Sequence, residues 1–410
     1  MASVASAQTL TWIQRTPATA PGDPSWNSLD WDHVANQFLF YAHSAMAQST
    51  IYSTDFWHLD VGALWNNSAP WTHLFGSGSF DMPASCTVMN TSAGPADSHP
   101  YRHAAVDTTR DLYWLVNGTR GQCSGTGIPR FGYFNLHDAT HTWTWLAAGS
   151  TSGDIPVQAQ LTYFPNYDVF MFYGPNTGAY WEQQMYCPTV PFGGGTPTGV
   201  VSTKQQTVGC TNANADTWIT ITPAANPSNP HGNNPGSQFC GDPRGCMQFG
   251  PAGVYMSSTG TAFVFGGWDN TAPVDSNVAW SLGWNGSAWQ WNELCQATGC
   301  TPPSGGANYP PIAFDTKRNL LYYHWTDGTS TADYYYSRNA DKWFPAGTGS
   351  GSKDPQISFA YDPVNDKVVS ESNAGGFAPS IFVADPSVFT SPGPSLPPGG
   401  KVIGSRVTVP

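Results

Sequence analysis

The sequence predicts an all-β protein, a β-propeller whose ring is built from six four-stranded blades. Three observations predict it. A unit of strand, turn and strand is clearest at residues 100–118 (PYRHAAVDTTRDLYWLVNG), where Asp107 opens a turn that Asp111 closes. Matching turns run from Asp32 to Asn36, Asp315 to Asn319 and Asp362 to Asp366, with looser copies from Phe164 to Asp168 and Met256 to Gly260. Aromatic residues reach 14% of the chain and charged residues only 10%, with 43 Gly and 35 Pro, which suits many short strands joined by turns. Helical spacing of apolar residues is never sustained, and no apolar run is long enough to cross a bilayer as a helix.

Taken in order, Ala2 to Gln8 (ASVASAQ) has the small-residue character of the end of a signal peptide, so residues 1–8 read as a leftover leader. Residues 9–22 (TLTWIQRTPATAPG) form a strand with no partner before it, and likeness to 142–149 (TWTWLAAG) and 288–295 (AWQWNELC) marks it as an outer strand. The last unit, 356–384, has three strands and no clear fourth. Pairing the first strand with the last closes the ring and removes two exposed sheet edges. The first full blade spans 26–75 and the second Tyr101 to Trp145. A third starts near Gln158 and ends on a strand at Asp216 to Ile221, after a Gly-, Pro- and Thr-rich insertion expected to cover one face. The fourth follows a polar insertion at 226–246, the fifth runs from Tyr309 to Ala346 and the sixth from Asp354 to Asp385. If 187–246 hides a degenerate blade, the count becomes seven. The propeller thus spans 9–385, and 386–410 is a Pro/Gly-rich linker and C-terminal tail.

A net charge of -12, from 15 Lys and Arg against 27 Asp and Glu, excludes nucleic acid as a partner held by broad phosphate neutralisation. Eight cysteines form no zinc-like pattern and read as up to four disulfides, Cys240/Cys246, Cys295/Cys300, Cys86/Cys123 and Cys187/Cys210. This implies an oxidising compartment and a secreted or extracellular protein. Asn66, Asn90, Asn117 and Asn285 lie in sequons that matter if the host glycosylates.

Phe265-Gly266-Gly267, the weaker doublet Gly375-Gly376, the recurring Asp turn and the outer-strand tryptophans Trp71, Trp143, Trp289 and Trp343 resemble the Kelch-type β-propeller family, with repeats like those of the galactose-oxidase central domain. The resemblance implies that inner strands line the axis, and that loops leading into them gather on one face with those leaving the second strands. His43, Arg120, Gln160 and Trp268 fall at such positions, as do Asp269, Tyr309, His324, Trp325 and Glu371. They form a polar and aromatic lining suited to sugars. Copper radical oxidases also use such rings, but Tyr186-Cys187 and Tyr323-His324 do not match their context. The sequence implies no cofactor, and a structural or catalytic divalent metal stays open because ten histidines are available.

The run HPYRH is unlike the start of the other blades. His103 or His99 would act as base, Arg102 or Arg120 would neutralise a substrate carboxylate and Tyr101 or Tyr309 would act as acid, a set suited to β-elimination from a uronic-acid glycan. The plainer alternative is that Arg102 or His103 bonds neighbouring blade backbones. A glycoside hydrolase needs two carboxyl groups, for which Asp269, Asp327 and Glu371 are the candidates. No catalytic motif stands out, so the expected function is a monomeric module that binds an extracellular glycan. A polysaccharide lyase or hydrolase and a protein-interaction scaffold are the alternatives.

Overall fold

Six four-stranded antiparallel sheets follow one another along the chain. The computed structural model describes residues 9–15, 28–43, 51–52, 54–64, 70–75, 80–81, 102–117, 130–146, 160–175, 181–230, 252–269, 274–275, 277–303, 310–326, 330–349, 358–372 and 380–389. The inner strands are Ser28–Asp32, Ala104–Asp107, Gln160–Phe164, Ala252–Met256, Ile312–Asp315 and Ser358–Asp362 for blades 1 to 6. Each neighbours the inner strands before and after it, and the sixth neighbours the first, so the ring is closed. Trp12–Arg15 is the outer strand of blade 6, antiparallel to Ser380–Ala384 with Trp12 opposite Ala384 and Arg15 opposite Ile381. The ring thus closes through the first strand, as expected, and has six blades rather than seven.

Why every inner strand turns where it does follows from local chemistry. Asp32 Oδ1 accepts the backbone N–H groups of Val34 (2.8 Å) and Ala35 (3.0 Å). Asp107, Asp315 and Asp362 repeat this with the residues two and three further on. Four residues after the turn opens, the chain enters the left-handed region, at Asn36, Asp111, Asp168, Asn319 and Asp366 with φ of 53° to 58°, and at Gly260 with φ 69°. Asn, Asp and Gly tolerate that conformation best. In blades 3 and 4, where Phe164 and Met256 replace the aspartate, the main chain alone closes the turn: Asp168 N–H donates to Phe164 O (2.8 Å) and Gly260 N–H to Met256 O (2.9 Å).

The core lies between the blades. Six buried apolar clusters occupy the six seams, each combining second and third strands of one blade with its neighbour. The pattern tryptophans belong to them: Trp71, Trp143, Trp289 and Trp343 are all buried. Such burial of aromatic area is the main stabilising term.

At the turn end of the ring, charged groups bind the seams from outside. Arg110, on the turn of blade 2, donates to Asp107 Oδ2 (2.9 Å) and forks onto both oxygens of Asp168 in blade 3 (2.5 and 2.7 Å). Arg318 does the same between Asp315 and Asp366 of blade 6, each bond 2.7 Å. Between blades 1 and 2 the link is His33 Nε2 to Asp111 (2.6 Å), joined by His137 (2.7 Å).

The insertion at 187–217 joins the third and outer strands of blade 3, and therefore lies at this same end. It is pinned by the Cys187–Cys210 disulfide and by the short helix Thr203–Thr207, whose Ser202 and Gln205 form a reciprocal cap. Gln205 Nε2 reaches Asp168 O (2.9 Å), and Arg110 Nε reaches Val190 O (2.7 Å), so the segment seats on the turns of blades 2 and 3. Cys295–Cys300 is the second described disulfide. The expected pairs Cys86/Cys123 and Cys240/Cys246 fall outside the described residues. Past the last strand, Phe389 is buried against Tyr322 and Tyr335 of blade 5. None of the helices described is long and apolar enough to cross a membrane.

Arg110 is nearly buried, so Arg110→Ala strands two carboxylates and should lower unfolding free energy by about 3–5 kcal/mol, read from the shift of the urea midpoint. The Arg318 hydrogen bonds hold the Asp366 carboxyl below its usual range. A carboxyl depressed in the folded state contributes stability that is complete above the unfolded value of about 4 and lost as pH falls through the folded one. Arg318→Ala should therefore move the acid-unfolding midpoint to higher pH, followed by far-UV circular dichroism.

Candidate binding site at the ring axis

Aligned on their turns, the inner strands place one residue from every blade in each layer around the axis. Two positions before the turn these are Asp30, Ala105, Thr162, Val254, Ala313 and Ala360, so blade 1 alone puts a charge there. One position before the turn the layer is Trp31, Val106, Tyr163, Tyr255, Phe314 and Tyr361. Residues of both layers line an axial cavity of about 340 Å³, to which all six inner strands contribute.

Asp30 is the carboxylate on that wall. Its Oδ2 accepts the Ser28 hydroxyl (2.6 Å) and, from blade 2, the Tyr113 hydroxyl (3.3 Å). Protein surrounds the group although its side chain meets the lumen, and this burial pushes its carboxyl up to about 6 against the bonds from Ser28 and Tyr113 and the charge of Arg102. Burial in turn lowers the Arg102 guanidinium to about 10, opposed by Asp30 and Tyr173. Arg102 Nη2 donates to Pro310 O at 3.1 Å. Blades 2 and 5 are opposite each other in a ring of six, so this side chain spans the axis at the end away from the turns.

Beside it, the start of blade 3 is tied to blade 2 by Leu161 N–H to Arg102 O (2.9 Å). Gln160 spends both ends of its amide on backbone, donating to Leu161 O (2.7 Å) and accepting Gly253 N–H (3.1 Å). Glycine is required at 253 by close approach: a Cβ there would lie 2.4 Å from Tyr173 Oη and 2.8 Å from Gln160 Cγ.

The sequence candidates distribute as follows. Arg102 and Gln160 meet at the axis. His103 is fully buried in the seam between blades 2 and 3, its ring 5.6 Å from Phe172. His324 is equally buried, with Nδ1 2.8 Å from Asp333 Oδ1, while Asp333 Oδ2 accepts the Trp12 indole N–H. Trp325 is half-buried against the seam of blades 4 and 5, and Glu371 is 1% exposed within blade 6. His43 ends the second strand of blade 1, and Trp268–Asp269 form a two-residue ribbon with Val274–Asp275 just past the second strand of blade 4. His99, Tyr101, Arg120, Tyr309 and Asp327 lie outside the described residues. Sequence reading passed over Asp30, Ser28 and Tyr113. The signal that finds Asp30 is the layer alignment, where it stands against Ala, Thr and Val.

No family model matches the sequence, and no curated protein matches it. Among solved structures, YjhT is similar at 12% identity with a TM-score of 0.51, over 90% of this chain and 95% of that one. A fungal alcohol oxidase of the AA5 family, in complex with copper, is similar at 11% identity and a TM-score of 0.50, over 94% of this chain and 78% of that one. Both fit the propeller expected from the Kelch-like repeats, and at this identity the likeness is one of fold alone. Among the described residues no three His, Cys, Asp or Glu side chains gather to hold a metal, and Cys187 is spent on its disulfide.

Two outcomes follow. Gly253→Ala should cost about 1–3 kcal/mol, because Tyr173 is buried and bonded to Thr162 and gives way poorly, as a thermal melt will record. Asp30, raised in the folded state, favours folding below its unfolded value of about 4 and loses that contribution as pH rises through about 6. Asp30→Asn should therefore gain stability relative to the wild type over that interval, measured by urea unfolding at several pH values.

Proposed function

We propose that the protein is an extracellular propeller that binds a glycan at the end of the ring opposite the turns. The observation that carries this reading is convergence: the six second strands end there, at His43, Asn117, Pro175, Phe265, Thr326 and Ser372. Beyond Phe265 the left-handed Gly266 and Gly267 (φ 74° and 102°) lead the chain out of blade 4 to Trp268 and Asp269. Tryptophan and aspartate are residue types that stack on and hydrogen-bond a sugar ring. Arg102 supplies a cation near the same end.

Binding is favoured over cleavage by where those candidate acids and bases that fall among the described residues sit. Elimination needs a base open to substrate and hydrolysis needs two carboxyl groups across the bond. Yet His103, His324 and Glu371 are at most 1% exposed, and the turn aspartates are spent on backbone N–H groups at the other end. The two described disulfides support an oxidising compartment.

The test is a panel of acidic and neutral polysaccharides. Retardation in a glycan-containing gel that Trp268→Ala abolishes, without unsaturated uronates or new reducing ends, is the expected result. Unsaturated products would mark a lyase, and reducing ends without them a hydrolase. Absence of any retention across the panel would overturn the glycan reading.

A further inference from the structure

We infer that the axial cavity, entered from the turn end, is a binding site for an organic ammonium group, independent of the glycan reading at the other end. The cavity is reached among Thr108, Pro165, Thr316 and Pro363, the turn residues on its lining, of which the two threonines are exposed. Inside that rim lie the side chains of Trp31, Tyr163, Tyr255, Phe314 and Tyr361, and beyond them Asp30.

Two of the four aromatic hydroxyl and indole groups of this wall are engaged in the turns. Tyr163 and Tyr361 donate their hydroxyls to Asp168 and Asp366, both at 2.8 Å, in the turn links outside the cavity. What those two residues leave to the cavity is ring carbon. At Asp30, both hydroxyl donors, Ser28 and Tyr113, converge on Oδ2, and Oδ1 has no hydrogen-bond partner among the described residues. A carboxylate oxygen with no partner among the described residues, behind an aromatic lining, is complementary to a cation that carries alkyl groups: aromatic rings attract the charge and the carboxylate pairs with it.

Other ligand classes fit less well. Calcium or magnesium would need six or more oxygen ligands, zinc a set of His, Cys or carboxylate donors, and this lining carries one carboxylate, no His and no Cys. An anion would face Asp30 and the turn aspartates, in a chain whose net charge is -12. That same field draws cations toward the mouth. Arg102 does not occupy the position, because its guanidinium is committed to Pro310 O and is not part of the cavity lining. The groups facing Asp30 are thus Ser28 on its own strand, Tyr113 from the second strand of blade 2 and Arg102 ahead of the inner strand of blade 2, with Tyr173 of blade 3 acting on Arg102. With its carboxyl near 6, Asp30 is mostly ionised at neutral pH and neutralised at mildly acid pH.

The probes are choline and its uncharged isostere 3,3-dimethylbutan-1-ol, titrated into the full chain by calorimetry. Saturable choline binding is expected, with the isostere weaker by roughly tenfold or more. Choline affinity should fall roughly tenfold between pH about 7 and about 5, following protonation of Asp30. Folded Asp30→Asn, checked by its melting transition, should lose the preference for the cation. Equal binding of the two probes, no saturable binding of choline, or a preference that survives Asp30→Asn would each overturn the proposal. If that variant does not fold, the isostere comparison and the pH dependence on the native chain decide it.

Discussion

One corner, repeated around the ring, sets the geometry of everything else. An aspartate at the end of an inner strand takes up two backbone N–H groups, and a left-handed residue four positions on sends the chain back as the second strand. That left-handed residue has a second task. In blades 2, 3 and 6 it is an aspartate, and a basic side chain from the preceding blade is bonded to it: His33 to Asp111, Arg110 to Asp168, Arg318 to Asp366. The Ser258 hydroxyl donates to Asn319 in the same relation between blades 4 and 5. A local turn and a contact between blades are therefore the same few atoms. Apolar seams supply the bulk of the stabilisation, and the charged corners add directional bonds between the same pairs of blades.

The corner is also why the architecture could be read from the chain. A turn with an acid at its start and Asn, Asp or Gly at its close leaves a trace even where Phe164 and Met256 have replaced the acid, because the left-handed position still restricts the residue at 168 and 260. Sites leave no such trace. His103 stood out in HPYRH, yet strand alternation turns it into the seam with Phe172. His324 and Glu371 share that fate, since a residue near a strand end faces seam or axis according to its packed neighbours alone. Asp30 was hidden for the opposite reason: in SLDWD it sits two residues from a turn aspartate and looks like part of the same corner.

The two ends of the axis differ in kind. At one, Arg102 reaches across to blade 5 and the inner strands of blades 2 and 3 are laced together directly. At the other, five aromatic residues line the lumen, and two of them, Tyr163 and Tyr361, bond their hydroxyls into the corners. Identical strands in similar blades thus give a polar, cross-braced end and an aromatic one. The difference arises from a handful of side chains at blade starts, where the repeat is least regular.

The closure of blade 6 bears on how the molecule is made. Trp12–Arg15 is synthesised before every inner strand of the ring, but its partner Ser380–Ala384 after all of them. While the strands between them are made, this segment lacks its partner and carries open backbone and a tryptophan, a template for pairing with another chain. The early blades can assemble in sequence as they emerge, yet the ring stays open until its oldest segment is claimed by its youngest. A cell producing this protein must keep one short strand solitary while the blades between it and its partner are made.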